Sequence, residues 1–197
     1  MTNISQQIDL SENDPSQNNS LQNPIHQNSA DLVKKIGETD QQFLTNPTPE
    51  LAKIRANLRV QLVKHSHQRQ EQIYFLTEAA ALLEIALMEI SSLEQHLALS
   101  AALGETYLEF YHVTQETRYL IISKQVIKPL SHHASTEILL ALARLSAAEN
   151  HPSLVKHWMT RLMQIPNIDL MDIRQAAELD SYRDEDWFKA LLRTHLH

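Results

Sequence analysis

Glycine occurs only twice in this chain of 197 residues, at Gly37 and Gly104. Sheets, barrels and hairpins turn on glycine at many corners, so a chain this poor in it is pushed towards helix. Gly104 itself sits inside an apolar periodicity of helical spacing. Glycine within a helix costs about 1 kcal/mol relative to alanine, so a close approach by a neighbouring element is the physical reason to tolerate it. Two apolar rows run past it, Leu93, Leu97, Ala101, Gly104, Leu108 and Tyr111 on one side and Leu99, Leu103, Tyr107 and Phe110 on another. A helix apolar on two faces has to be covered on both. That demand is met by the first helix of a unit in a stacked array of antiparallel helix pairs, wedged between its own partner and the preceding unit.

The rest of the chain reads as a tail followed by helices. Residues 1–29 are dominated by Ser, Asn and Gln, carry Pro15 and Pro24, and hold few large apolar groups to offset the entropy of ordering. Residues 1–47 are therefore expected to form a disordered tail, with a short helix over 30–44 carrying Leu32, Val33 and Ile36. Asn46-Pro47-Thr48-Pro49 breaks the chain, and an all-α domain is expected over 48–197. Thr48 caps a helix whose apolar row is Leu51, Ile54, Leu58 and Leu62; the row resumes after the polar stretch 65–72 as Ile73, Leu76, Ala80, Leu83, Leu87 and Ile90. Whether one helix runs through that polar stretch is left open by the pattern. Ser92 with Gln95 has capping-box spacing, Thr114 is a candidate cap after a tight turn, and 117–128 is expected as helix although Tyr119-Leu120-Ile121-Ile122 favours strand on propensity. Ser135 and Pro152 open a further helix pair that Pro166 closes. Asp169 and the acidic run at 184–186 open two shorter helices.

Composition bounds the function. Hydrophobic residues make up 43% of the chain, enough for one domain and a tail. Cysteine is absent, which removes disulfides and thiolate chemistry. The formal charge of -7 disfavours a broad nucleic-acid surface. No apolar run is long enough to span a bilayer and no basic-plus-apolar leader is evident, so the expected location is cytoplasmic, without membrane association.

The pair beginning at Leu97 resembles a tetratricopeptide-type repeat. The features that carry the likeness are the Leu103-Gly104 step followed by Tyr107, and the closing Pro129. A second pair from Thr136 to Pro166, with Trp158 on its buried side, keeps the closing proline and roughly the 34-residue period, but Ala141 or Leu142 stands where glycine is usual. The final stretch from Leu179 to Leu192 is similar to the closing segment that often follows such arrays in bacterial proteins. The resemblance implies a short solenoid of antiparallel helix pairs and a non-enzymatic adaptor or scaffold that binds a protein or peptide on the side lined by first helices. Exposed first-helix residues Glu105, Glu109 and Arg144 are the binding candidates it suggests. Self-association is left open.

Two other features could carry function. Lys53, Arg55, Arg59, Lys64 and Arg69 form a basic run with no acid among them, either a solvated helix side or a docking stripe for an acidic peptide or nucleic acid. The spacing of Arg59 and His65 is similar to the signature of the small helical ribonucleases called HEPN domains, which implies arginine at the scissile phosphate and histidine in acid-base chemistry. The residue after the arginine is Val60, where those proteins usually place a polar group. The eleven histidines show no ligand spacing such as HExxH. His65 and His67 fall on opposing sides of a helix, and His195 and His197 lie at the terminus. No cofactor and no resident metal is expected.

Overall fold

The computed structural model describes residues 24–166 and 168–193, with side chains from residue 29 onward. In chain order the helices are α1 (Pro24–Thr45), α2 (Pro49–Val63), α3 (Arg69–Met88), α4 (Leu93–Thr114), α5 (Arg118–Ile127), α6 (Thr136–Ala148), α7 (Pro152–Leu162), α8 (Leu170–Gln175) and α9 (Asp186–Arg193). Short 3-10 segments lie at Lys128–Leu130 and Ala177–Tyr182. No strand occurs among the described residues. The segment rich in β-formers, 117–128, is α5.

Side-chain caps set four of the described helix starts. Thr48 accepts from Leu51 N at 3.1 Å, Ser92 from Gln95 N at 3.1 Å and Asp169 from Met171 N at 2.8 Å; Ser135 accepts from Ile138 N at a longer 3.4 Å. Thr114 does not act as expected. It is the last residue of α4, its hydroxyl donates to Phe110 O, and Gln115 ends the helix in the left-handed region at φ 61°. Asn150 closes the end of α6 in the same way at φ 55°. The stretch between Val63 and Arg69 is a break: the Gln72 side chain donates to Val63 O and Ser66 O, satisfying carbonyls that an unbroken helix would have paired internally.

Consecutive helices pack as antiparallel pairs, α2 with α3, α4 with α5 and α6 with α7, and the first helices α2, α4 and α6 also touch one another in succession. Segment Ala177–Tyr182 continues that row against α6, while α9 rests on α7. Three cores follow. The first joins Ala52, Ala56, Leu76 and Leu83 to Leu99, Leu103 and Phe110 of α4. In the second, Ala101 and Leu108 from the other side of α4 meet Leu120 and Ile127 of α5 and Ile138, Leu142 and Leu145 of α6. The third sets Leu139 and Ala143 of α6 with Val155, Met159 and Leu162 of α7 against Ile173, Leu179 and Phe188. Both α4 and α6 thus serve two cores; for α4 this is what the paired apolar rows around Gly104 require. Trp158 lies half-buried between the second and third cores, with the Arg161 guanidinium over its ring.

At Gly104, α5 comes so close that a Cβ would collide with Cγ2 of the fully buried Ile127, and Ser123 Oγ donates to Gly104 O at 2.8 Å. Leu103 is buried beside it. Tyr107 stacks with Phe110 and Tyr119, and its hydroxyl donates to Glu84 at 2.6 Å. Pro129 sits in the 3-10 turn that ends α5, and Pro166 in an exposed turn after α7.

Two expectations need correction. The buried side of α2 is not the row Leu51, Ile54, Leu58, Leu62; only Leu62 of these is buried, and Ile54 is 48% exposed. The buried stripe is Ala52, Ala56, Arg59 and Val63, because small residues let α2 approach α3 closely. The boundary at Thr48 also moves. The helix expected over 30–44 is present within α1, which packs on α2 with Leu32 buried and Phe43 under the Arg55 guanidinium. The packed body therefore starts before Thr48. The expectation of disorder over residues 1–23 lies outside the described residues.

Candidate functional site

The row of first helices leaves a groove on one side of the stack. Its charged part is a cleft of about 310 Å³ reached by Lys53 and Lys64 of α2, Ala98, Ala102 and Glu105 of α4, and Arg144 of α6. A second depression of about 460 Å³, lined by Ile54, Gln95 and Leu99, shares Lys53, Asn57 and Ala98 with it, so the two form one continuous groove. Its floor is made of alanines where α4 runs between α2 and α6. Short side chains there create the depth.

Arg144 is the centre of the cleft. Its Nε and Nη2 donate to both oxygens of Glu178, each at 3.0 Å, its Nη1 to Glu105 at 2.9 Å, and Nη2 also reaches Glu109 at 3.5 Å. The bidentate pairing fixes the planar guanidinium in one orientation. His112 Nε2 lies 2.9 Å from Glu178, and Lys64 Nζ lies 3.9 Å from Glu109. Burial by itself would push the Glu178 carboxyl up, but hydrogen bonds from His112 and Arg144 outweigh it and hold the group well below the usual carboxylate range. Glu105 behaves oppositely. Its crowded position on the cleft floor raises it, and Arg144 only partly compensates. Its side chain is still 35% exposed to the groove. Burial would lower Arg144 as well, yet the surrounding carboxylates Glu105, Glu178 and Glu109 raise it and keep the guanidinium charged.

Glu105, Glu109 and Arg144, singled out separately along the sequence, are thus one cluster. Its tightest member, Glu178, and its neighbour His112 were not among the candidates. They come from opposite ends of the chain's second half, and no local pattern links them.

The basic run 53–69 is not brought together as a stripe. Arg59 is buried, with Nε on Glu78 at 3.0 Å, Nη2 on Asp40 at 2.8 Å and Nη1 on Arg55 O at 3.2 Å. Arg55 Nε donates to the other Asp40 oxygen at 2.6 Å. These two arginines clamp α1 to α2. Arg69 donates to Thr114 O across the α3–α4 junction, and only Lys53 and Lys64 face the groove. Of the Arg59 and His65 pair, the arginine is the member that is buried and bonded within the fold. Among the described residues, no group of three or more His, Cys, Asp or Glu is arranged to hold a metal ion. No helix among them is long and apolar enough to cross a membrane. The terminal pair His195 and His197 lies outside the described residues. In comparison with known proteins, no family model, no curated protein and no solved structure matches this chain.

Proposed function

We propose that this protein is a non-enzymatic adaptor of the tetratricopeptide-like kind, and that its groove along α2, α4 and α6 receives a segment of a partner protein. One observation carries the reading: first helices from successive pairs line a single continuous groove in which small floor residues, an apolar end at Ile54 and Leu99, and a charged end at Arg144 are laid side by side. Such a surface offers an extended segment both an apolar contact and polar groups that fix its register. The likeness at Leu103, Gly104, Tyr107 and Pro129 supports the same reading.

Site-specific photo-crosslinking in the native host tests it. A photoreactive residue in place of Asn57 or Gln95, inside the groove, should capture the same discrete partner. The same residue at Thr160, on the exposed side of α7, should not. Capture that is indifferent to position, or that survives Lys53→Glu and Ala98→Trp in the groove, would overturn the assignment.

A further inference from the structure

Helix α3 carries two apolar stripes on opposite sides, and among the described residues only one of them is covered. One side, with Leu76, Ala80 and Leu83, belongs to the first core. On the opposite side Tyr74 is 57% exposed, Ile85 57% and Met88 85%, with Ala81 exposed between them. Tyr74, Ala81 and Met88 are seven residues apart and Ile85 is four beyond Ala81, so at roughly 100° per residue all four fall on one stripe. A shallow apolar depression of about 80 Å³, lined by Phe43, Pro47, Leu82, Ile85 and Ala86, opens at the edge of that stripe. A helix with two apolar stripes is normally covered on both. Here one face has no cover among the described residues.

The charges beside the stripe say what fits. Glu71 and Glu89 fall on one flank, with Glu78 between them already paired with Arg59 of α2, and Glu84, which accepts from Tyr107, lies on the other; residues 70–90 contain no lysine or arginine, so the flanks stay acidic. A second copy of α3 laid on this face would set these acids against their own counterparts, an arrangement that opposes pairing. We infer that the exposed face of α3 docks a basic amphipathic helix of a partner, with its apolar side on Tyr74, Ala81, Ile85 and Met88 and its lysines or arginines opposite the glutamates. This surface lies outside the groove, and the inference does not depend on what the groove binds.

The test uses the full chain and two fluorescent 18-residue helical peptides with leucine at the seam positions, one flanked by lysine and the other by glutamate. The lysine-flanked peptide is expected to bind saturably, more weakly as salt rises, and the glutamate-flanked one at least tenfold less tightly. Ile85→Asp/Met88→Asp, at sites too exposed to disturb the core, should weaken the lysine-flanked peptide at least tenfold with the helical circular dichroism unchanged. The two added negative charges would strengthen a merely electrostatic attraction, so that loss reports the apolar contact. Glu71→Lys/Glu89→Lys should shift preference towards the glutamate-flanked peptide. Absence of saturable binding, equal binding of both peptides, or binding unchanged in Ile85→Asp/Met88→Asp would overturn the inference. So would a dimer of the wild-type chain that those two substitutions abolish, since a second copy would then be the occupant.

Discussion

Cγ2 of Ile127 fills the space that any side chain at position 104 would need. Alanine is better than glycine in a helix by about 1 kcal/mol, but overpacking a core typically costs about 1–3 kcal/mol. Gly104→Ala is therefore expected to lose stability in urea unfolding. Ile127→Leu moves the branch away from Cβ, and the double variant should recover part of the loss, with a coupling of at least about 0.5 kcal/mol; strict additivity would mean that the two positions do not touch. A second expectation concerns Glu178. Replacing it by Gln removes charge-assisted hydrogen bonds to the mostly buried Arg144, at a cost of about 1.5–3 kcal/mol at neutral pH. Its folded-state pKa lies below its unfolded one, so its contribution is present above the ordinary glutamate value of about 4.3 and is lost as pH falls through the depressed value. Unfolding curves of wild type and Glu178→Gln should converge as pH drops below about 4. Glu105→Gln should cost less at neutral pH, because burial already disfavours the ionised form there.

Among the elements, helix starts were legible because a cap needs only residues adjacent in sequence, as at Thr48, Ser92, Ser135 and Asp169. The buried face of α2 was not. Alanine fits core and surface alike, and Arg59 reads as solvated until Asp40 and Glu78 are found beside it. The same pair decides where α1 goes. Partial burial pushes the Asp40 carboxyl up, but hydrogen bonds from Arg59 and Arg55 outweigh this and hold it below the usual range. Asp40→Asn is expected to weaken docking of α1 on α2 by about 1–3 kcal/mol, seen as faster amide hydrogen exchange in α1 than in α3 or α4. In the wild type, α1 protection should persist above the ordinary aspartate value of about 3.9 and fall as pH drops through the depressed folded value.

For the whole molecule, each helix pair packs mainly on its neighbours, with His112 of α4 reaching past α6 and α7 to Glu178, so stability is approximately a sum of local units and the interfaces between them. Leu179 is fully buried in the third core, and Leu179→Ala is expected to cost about 2–5 kcal/mol. The damage should be local. Hydrogen exchange should accelerate in α6, α7 and the segment after Pro166, and much less in α2 and α3. An equal loss along the chain would show one indivisible core rather than a row of three.

By itself the sequence determined that the chain is helical, where most helices begin, and that the helix around Gly104 is covered on two faces. Those properties follow from glycine scarcity, capping residues and a 3.6-residue periodicity, all of which act over one or two turns. Only the tertiary structure decided that Arg144 gathers Glu105, Glu109 and Glu178, that Arg55 and Arg59 clamp α1 to α2 instead of forming a basic stripe, and that one apolar face of α3 is left uncovered among the described residues. Ion pairs and burial are properties of groups brought together from distant parts of the chain, and no local spacing encodes which partner a buried charge will find.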